Sequence, residues 1–146
     1  PDTDRILAYI EANKPKTAAV IGAGFIGLEM AESLKALDMD VTIIEKAPHL
    51  LPPLDVEMAA FIQDVITQEG VDVITNNSAT QITDTGLVLE DGSDLQADII
   101  IMSVGVQPES TLAKEAGIKL GIRDGILVDE HYETSIKDIY AVGDAT

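Results

Sequence analysis

The stretch Thr17-Ala18-Ala19-Val20-Ile21-Gly22-Ala23-Gly24-Phe25-Ile26-Gly27-Leu28-Glu29, continued by Asp40-Val41-Thr42-Ile43-Ile44-Glu45, decides the fold. Thr17 to Ile21 is a short apolar run and predicts a buried strand. The glycine turn Gly22 to Gly27 follows, then a helix to about Leu37 with Ile26, Met30, Leu34 and Leu37 at helical spacing. Asp40 to Ile44 predicts the next strand, with Glu45 at its C-terminal end. A lone G-x-G-x-x-G says little, but here a strand precedes it, a helix opens from it and an acid closes the following strand. Glu45 lies 18 residues beyond Gly27, close to the roughly 20 at which a dinucleotide-binding βαβ unit places its ribose-binding acid.

Each position in the turn has a physical reason. Gly22 permits the tight exit from the strand, Gly24 lets a pyrophosphate reach the backbone, and Gly27 lets the helix pack close to the strand. The N–H groups near Phe25 and Ile26 have no partner inside the helix and carry the positive end of its dipole. The turn holds no Lys or Arg, so backbone amides must carry most of the phosphate recognition. The Gly-Lys-Ser/Thr of a Walker-type loop is absent. A carboxylate at Glu45 accepts hydrogen bonds from a ribose diol and repels a 2′-phosphate, and only Lys46 adjoins it, so the pattern predicts NAD(H) over NADP(H). The alternative for Glu45 is a solvated strand-end residue. Spacing leaves two roles open for Glu29: complementing the helix dipole, or facing the nicotinamide end of the cofactor.

Outward from this unit, Asp2 to Asn13 predicts a short helix ended by Lys14-Pro15-Lys16. Asp55 is a candidate N-cap for a helix to about Glu69, and Val71 to Thr75 alternates as a strand does. Between Ala79 and Leu95 the turn signals Asp84-Thr85-Gly86 and Asp91-Gly92 flank Leu87-Val88-Leu89, predicting an antiparallel hairpin or meander. Asp98 to Val104 predicts another buried strand, Thr111 to Ala116 a short helix, and Ile126–Val128 and Ile139–Val142 short strands. The predicted fold is α/β: a Rossmann-like open parallel sheet with helices on both faces and an inserted small antiparallel β-meander.

Composition narrows the function. The chain has 146 residues, the size of one domain, and it is 46% hydrophobic but only 3% aromatic, which suits a parallel sheet of Ile, Val, Leu and Ala. Its formal charge of −17 makes nucleic acid and anionic membrane poor partners. No apolar run approaches the roughly 20 residues of a membrane span, no signal peptide is visible, and there are no cysteines to form disulfides or thiolate sites. A cytoplasmic location fits. His49 and His131 have no metal-ligand spacing, and the acidic groups lack an EF-hand pattern, so no metal site is predicted. His49 is expected to be a solvated loop histidine, and Met30, Met39, Met58 and Met102 to pack in the core or at its edge.

Three ordered motifs carry a family resemblance. Gly22 to Glu29 with Val41 to Lys46 resembles the NAD-binding domain of the pyridine nucleotide-disulfide oxidoreductases. Thr134-Ser135-Ile136-Lys137-Asp138-Ile139-Tyr140-Ala141-Val142-Gly143-Asp144-Ala145 resembles their second FAD-binding motif, and Ser103-Val104-Gly105-Val106-Gln107-Pro108 the strand and turn before it. Leu51-Pro52-Pro53-Leu54-Asp55-Val56-Glu57-Met58 looks most like the NADH oxidases, NADH peroxidases and coenzyme A-disulfide reductases, with ferredoxin reductase-like members as the alternative.

The resemblance implies that residues 1–146 are a single NAD(H)-binding domain cut from a larger FAD-dependent oxidoreductase, and that 134–146 begin the returning FAD segment. It implies that Glu29 and the Val104-Gly105 turn lie near the nicotinamide. Glu45 and Lys46 would hold the adenosine half, and Asp144 would contact FAD in the parent, a homodimer. The N-terminal FAD glycine motif and a redox Cys are missing from this sequence, so the chain is expected to bind NADH, to retain no flavin and to have no catalytic residue of its own. A non-catalytic NAD-sensing module shares the glycine turn but leaves Thr134 to Asp144 unexplained. A methyltransferase shares the ribose-binding acid but not the full glycine pattern.

Overall fold

The computed structural model describes residues 2–146. They form two compact units, the first ending at Val104 and the second running from Gly105 to Thr146.

In the first unit the elements follow in the order α1 (Asp2–Asn13), β1 (Thr17–Ile21), α2 (Phe25–Lys35), β2 (Asp40–Ile44), α3 (Val56–Gln68), β3 (Asp72–Ile74), β4 (Ala79–Thr83), β5 (Gly86–Leu89), β6 (Asp94–Gln96) and β7 (Ile99–Met102). Four of the strands make a parallel sheet in the order β3-β2-β1-β7. Its register sets Val20 of β1 between Ile43 of β2 and Ile101 of β7. The other three make an antiparallel sheet, β4-β5-β6, which is the meander that the turn signals predict.

Side chains alternate across the pleat of a strand, and the parallel sheet sorts them accordingly. Ala18 and Val20, Val41 and Ile43, Ile99 and Ile101 face one core with Ile6 and Ile10 of α1, Ala31 and Leu34 of α2 and Ile66 of α3. Ala19, Ile44, Ile74 and Ile100 face a second core with Leu87 and Leu89 of β5 and Ala97. This corrects the expectation of helices on both faces: helices cover one face and the antiparallel sheet covers the other. The connection from β3 to β7 is the reason, because Asp84 to Gly86 and Asp91 to Gly92 fold it into hairpins instead of a crossover helix.

Smaller departures are local. Helix α2 closes at Lys35 through Ala36, with Asp38 left-handed at φ 59°, so Leu37 lies outside it and is exposed. Asp55 takes the N-cap position of α3 without a side-chain capping bond. Met39 is buried, whereas Met58 and Met102 are exposed, against the packing role expected of them.

The N-terminal ends of β1 and β7 are tied by Asp98. Its Oδ2 accepts the N–H groups of Lys16 and Thr17 at 2.8 and 2.9 Å, and its carbonyl accepts the Tyr9 hydroxyl at 3.0 Å. The Lys16 and Thr17 amides, with the Thr17 hydroxyl, hold the Asp98 carboxyl below its ordinary pKa.

The second unit has less regular structure: α4 (Thr111–Glu115) and 3-10 turns at Ile122–Asp124 and Gly143–Ala145. The two strands expected at Ile126–Val128 and Ile139–Val142 are reduced to isolated bridges, Leu120 to Ile126, Val128 to Thr134 and Glu133 to Tyr140. Tyr132 and Asp138, both with positive φ, bend the chain between them and stop longer ladders. Ser110 and Ala113 are buried, but Leu112, Ile122, Tyr140 and Val142 are well exposed.

Candidate functional site

The sheet order places the strand following β1 on one side of it and β7 on the other. The strand order therefore reverses between β1 and β7. In open parallel sheets, the crevice beyond the C-terminal ends of such a strand pair is where ligands bind. Gly22 to Gly27 leaves β1 at this point and Ser103 to Val104 leaves β7 there.

The three glycines of the turn serve different purposes. Gly22 has φ +99°, and a Cβ on it would stand 2.6 Å from the Ser103 carbonyl oxygen. A Cβ on Gly27 would stand 1.9 Å from the Gly22 carbonyl oxygen and 2.8 Å from Ser103 Oγ. Packing within the chain therefore requires both to be glycine. Gly24 differs: its backbone is extended at φ −74° and ψ −178°, and a Cβ there would meet nothing within 4 Å. It is the N-cap of α2 and makes no side-chain capping bond. Phe25 and Ile26 begin that helix, so their N–H groups have no partner within it; their side chains are exposed.

Glu45 is buried beside the turn. Its Oε2 accepts the Ala23 N–H at 2.7 Å, and its Oε1 accepts the Ala47 N–H at 2.7 Å. Its own N–H donates to Ile74, and its carbonyl accepts the Asn77 N–H. The reading of Glu45 as a solvated strand-end residue is thereby corrected: a carboxylate this enclosed is held by amides. Each oxygen keeps a second lone pair for a further donor. The loop after Glu45 also grips the turn, because Leu51 N–H donates to the Ala23 carbonyl at 2.9 Å. His49 in that loop is half-buried instead of solvated. Its Nδ1 lies 2.8 Å from the Leu50 carbonyl, which only accepts, so Nδ1 carries the proton.

The remaining predicted residues are more open. Glu29 is exposed and lines a groove between α2 and α3 with Phe25 and Leu28. Lys46 is exposed beside Glu45. Val104 ends the first unit and is exposed, and Gly105 opens the second with φ +114°. Asp144 is exposed in the 3-10 turn Gly143–Ala145. Among the described residues no group of three or more His, Cys, Asp or Glu is placed to hold a metal ion, and no helix is long and apolar enough to cross a membrane.

The family model for pyridine nucleotide-disulphide oxidoreductases matches residues 3–146. The chain belongs to this family. Among curated relatives, an NADH oxidase of Methanocaldococcus jannaschii is 44% identical over 98% of the chain and 33% of its own length. A nitrite reductase [NAD(P)H] of Bacillus subtilis is 37% identical over 98% of the chain and 18% of its own length. The chain thus spans a third or less of these two relatives. Among solved structures, a reduced CoADR-RHD of Bacillus anthracis superposes with TM-score 0.89 at 46% identity, covering 99% of this chain and 26% of that one. A ferredoxin reductase of Rhodopseudomonas palustris gives 0.86 at 33% identity, covering 99% and 36%. These likenesses bear out the family drawn from the three motifs and the α/β fold drawn from the order of strands, glycine turn and helix.

Ser103 carries contacts that its place in the sequence does not announce, between an apolar strand and the Val104-Gly105 turn. Its Oγ lies 3.0 Å from the Ile21 carbonyl oxygen and 2.9 Å from that of Gly22, and its N–H donates to Ile21 at 2.8 Å. The available signal was a hydroxyl closing the otherwise apolar run Ile99 to Met102 at the end of a strand.

Proposed function

We propose that this chain binds NAD(H) across the C-terminal ends of β1, β2 and β7 and presents it for hydride transfer to FAD in a larger oxidoreductase. The observation that carries the reading is Gly24. Its backbone is one any residue adopts, and the space over it is open. Ser, Asp or Asn would serve at least as well as a helix N-cap. The fold gives no reason for a glycine there, whereas a ligand approaching the backbone does.

Bound NADH supplies the hydride, and the chain supplies position. The amides of Phe25 and Ile26 face the pyrophosphate from the start of α2. Glu45 accepts the adenosine ribose hydroxyls on its remaining lone pairs and opposes a 2′-phosphate, with Lys46 beside it on the adenosine half. Glu29, Val104 and Gly105 lie toward the nicotinamide, and Asp144 meets FAD in the parent. Residues 1–146 make the NAD(H) domain of that protein, with 134–146 beginning its FAD segment. The parent is a cytoplasmic homodimer. The names NADH oxidase, nitrite reductase and ferredoxin reductase attach to relatives sharing this stretch, which supports the reading that the final electron acceptor is chosen outside it. On the same proposal the chain alone has no activity.

Calorimetric titration with NADH and NADPH tests the reading. NADH is expected to bind about ten-fold or more tighter than NADPH. Gly24→Ala is expected to keep the melting temperature and to weaken NADH binding by about ten-fold. Equal affinity for the two cofactors removes the Glu45 argument, and undiminished binding by the Gly24 variant removes the argument from close approach.

A further inference from the structure

One peptide plane in the glycine turn is held from both sides. The Gly22 carbonyl is 2.9 Å from Ser103 Oγ, whose proton is shared with the Ile21 carbonyl at 3.0 Å. The N–H of the same peptide unit, on Ala23, donates to Glu45 Oε2 at 2.7 Å. One hydroxyl from the end of β7 and one carboxylate from the end of β2 therefore fix the orientation of the Gly22–Ala23 peptide. A glycine-flanked peptide would otherwise rotate at little steric cost. Rotation by half a turn would aim the Gly22 carbonyl dipole at the Glu45 carboxylate and lose both bonds.

The orientation matters to the helix that follows. The Gly22 carbonyl oxygen lies where a Cβ of Gly27 would be, 1.9 Å from that point. The first turn of α2 therefore seats directly on this carbonyl, and the carbonyl's direction sets where the free amides of Phe25 and Ile26 point.

We propose that Ser103 is a positioning residue for phosphate recognition, acting through the Gly22–Ala23 peptide in concert with Glu45. The inference rests on the NAD(H) reading above and deepens it. Ser103 touches no cofactor atom in this scheme. It orients the backbone that does, and it joins the strand leading to Val104 and Gly105 to the turn that grips the pyrophosphate. Glu45 acquires a second duty, because the group that discriminates the ribose also latches the phosphate-binding turn.

Ser103→Ala removes the hydroxyl and little else. Calorimetry of this variant of the 146-residue chain should show NADH and ADP binding weakened by about five-fold, the worth of one hydrogen bond. Hydrogen exchange followed by NMR should show the Ala23 amide exchanging faster, while amides in the middle of β1 and β2 stay at their original rates. Ser103→Cys, with a weaker donor of similar bulk, should fall between the two proteins and carries the same test if the alanine variant unfolds. Unchanged affinity for NADH and ADP, or uniform acceleration along β1 without a local change at Ala23, overturns the proposal and leaves the NAD(H) reading standing. If the unsubstituted chain binds neither NADH nor ADP, the NAD(H) reading fails first and the role of Ser103 falls with it.

Discussion

Two glycine turns that follow apolar runs, Gly22 to Gly27 and Gly143 to Ala145, are stabilised differently. The first is determined from within. Around it are the Ser103 hydroxyl, the Glu45 carboxylate and the Leu51 amide, and two of its glycines have no room for a methyl group. The second has few such constraints. Gly143 has φ +80°, a Cβ on it would meet nothing within 4 Å, and Asp144 beside it is exposed. The Thr146 hydroxyl and amide both donate to the Gly143 carbonyl, which closes the turn on itself. A glycine enforced by packing belongs to a structure complete in this chain. A glycine enforced only by its backbone angle fits a turn whose surroundings are supplied elsewhere, as the proposed FAD segment requires.

Substitutions sharpen this contrast. Gly27→Ala should be the most damaging, because its methyl meets backbone. A loss of about 3 kcal/mol is expected, or about 6–12 °C in a thermal melt, and a melt within a degree or two of the parent chain would contradict the packing described. Glu45→Gln comes next: one oxygen is replaced by an NH2 that faces a backbone N–H. A cost of about 2 kcal/mol is expected in chemical denaturation; full stability would mean that the two amides find other partners. Gly143→Ala should be mildest, about 1 kcal/mol from the left-handed backbone alone, with NADH affinity by calorimetry unchanged. A loss as large as that at Gly27 would erase the distinction between the turns.

The first turn was legible because its requirements are written locally. Strand, turn, helix and acid fall at fixed spacing along one stretch of the chain. What escaped is what depends on tertiary neighbours. Ser103 acquires its role only when β7 lies beside β1, a pairing 82 residues apart in sequence between Ser103 and Ile21. Glu45 was readable as an acid at the right place but not as a latch, since spacing says nothing about which backbone amides surround it. The cover on the second face of the sheet is hidden in the sequence for a related reason. Turn signals predict the meander itself, but not its packing on Ile44, Ile74 and Ile100 in place of a helix. In the second unit, runs such as Ile139 to Val142 carry strand-like composition. They pair only through isolated bridges because the intervening bends leave no length for a ladder.

The open apolar side chains of the second unit have a consequence for how this molecule behaves among copies of itself. Leu112 is 80% exposed and Ile122 92%, on a chain with a formal charge of −17. In dilute electrolyte, with a Debye length of about 30 Å at 0.01 M, like charge holds neighbouring molecules apart before these side chains can meet. Near 1 M salt that length shrinks to about 3 Å, and the colloidal balance tips toward attraction. Added salt is therefore expected to promote association between copies of this chain, which light scattering across a salt series would read.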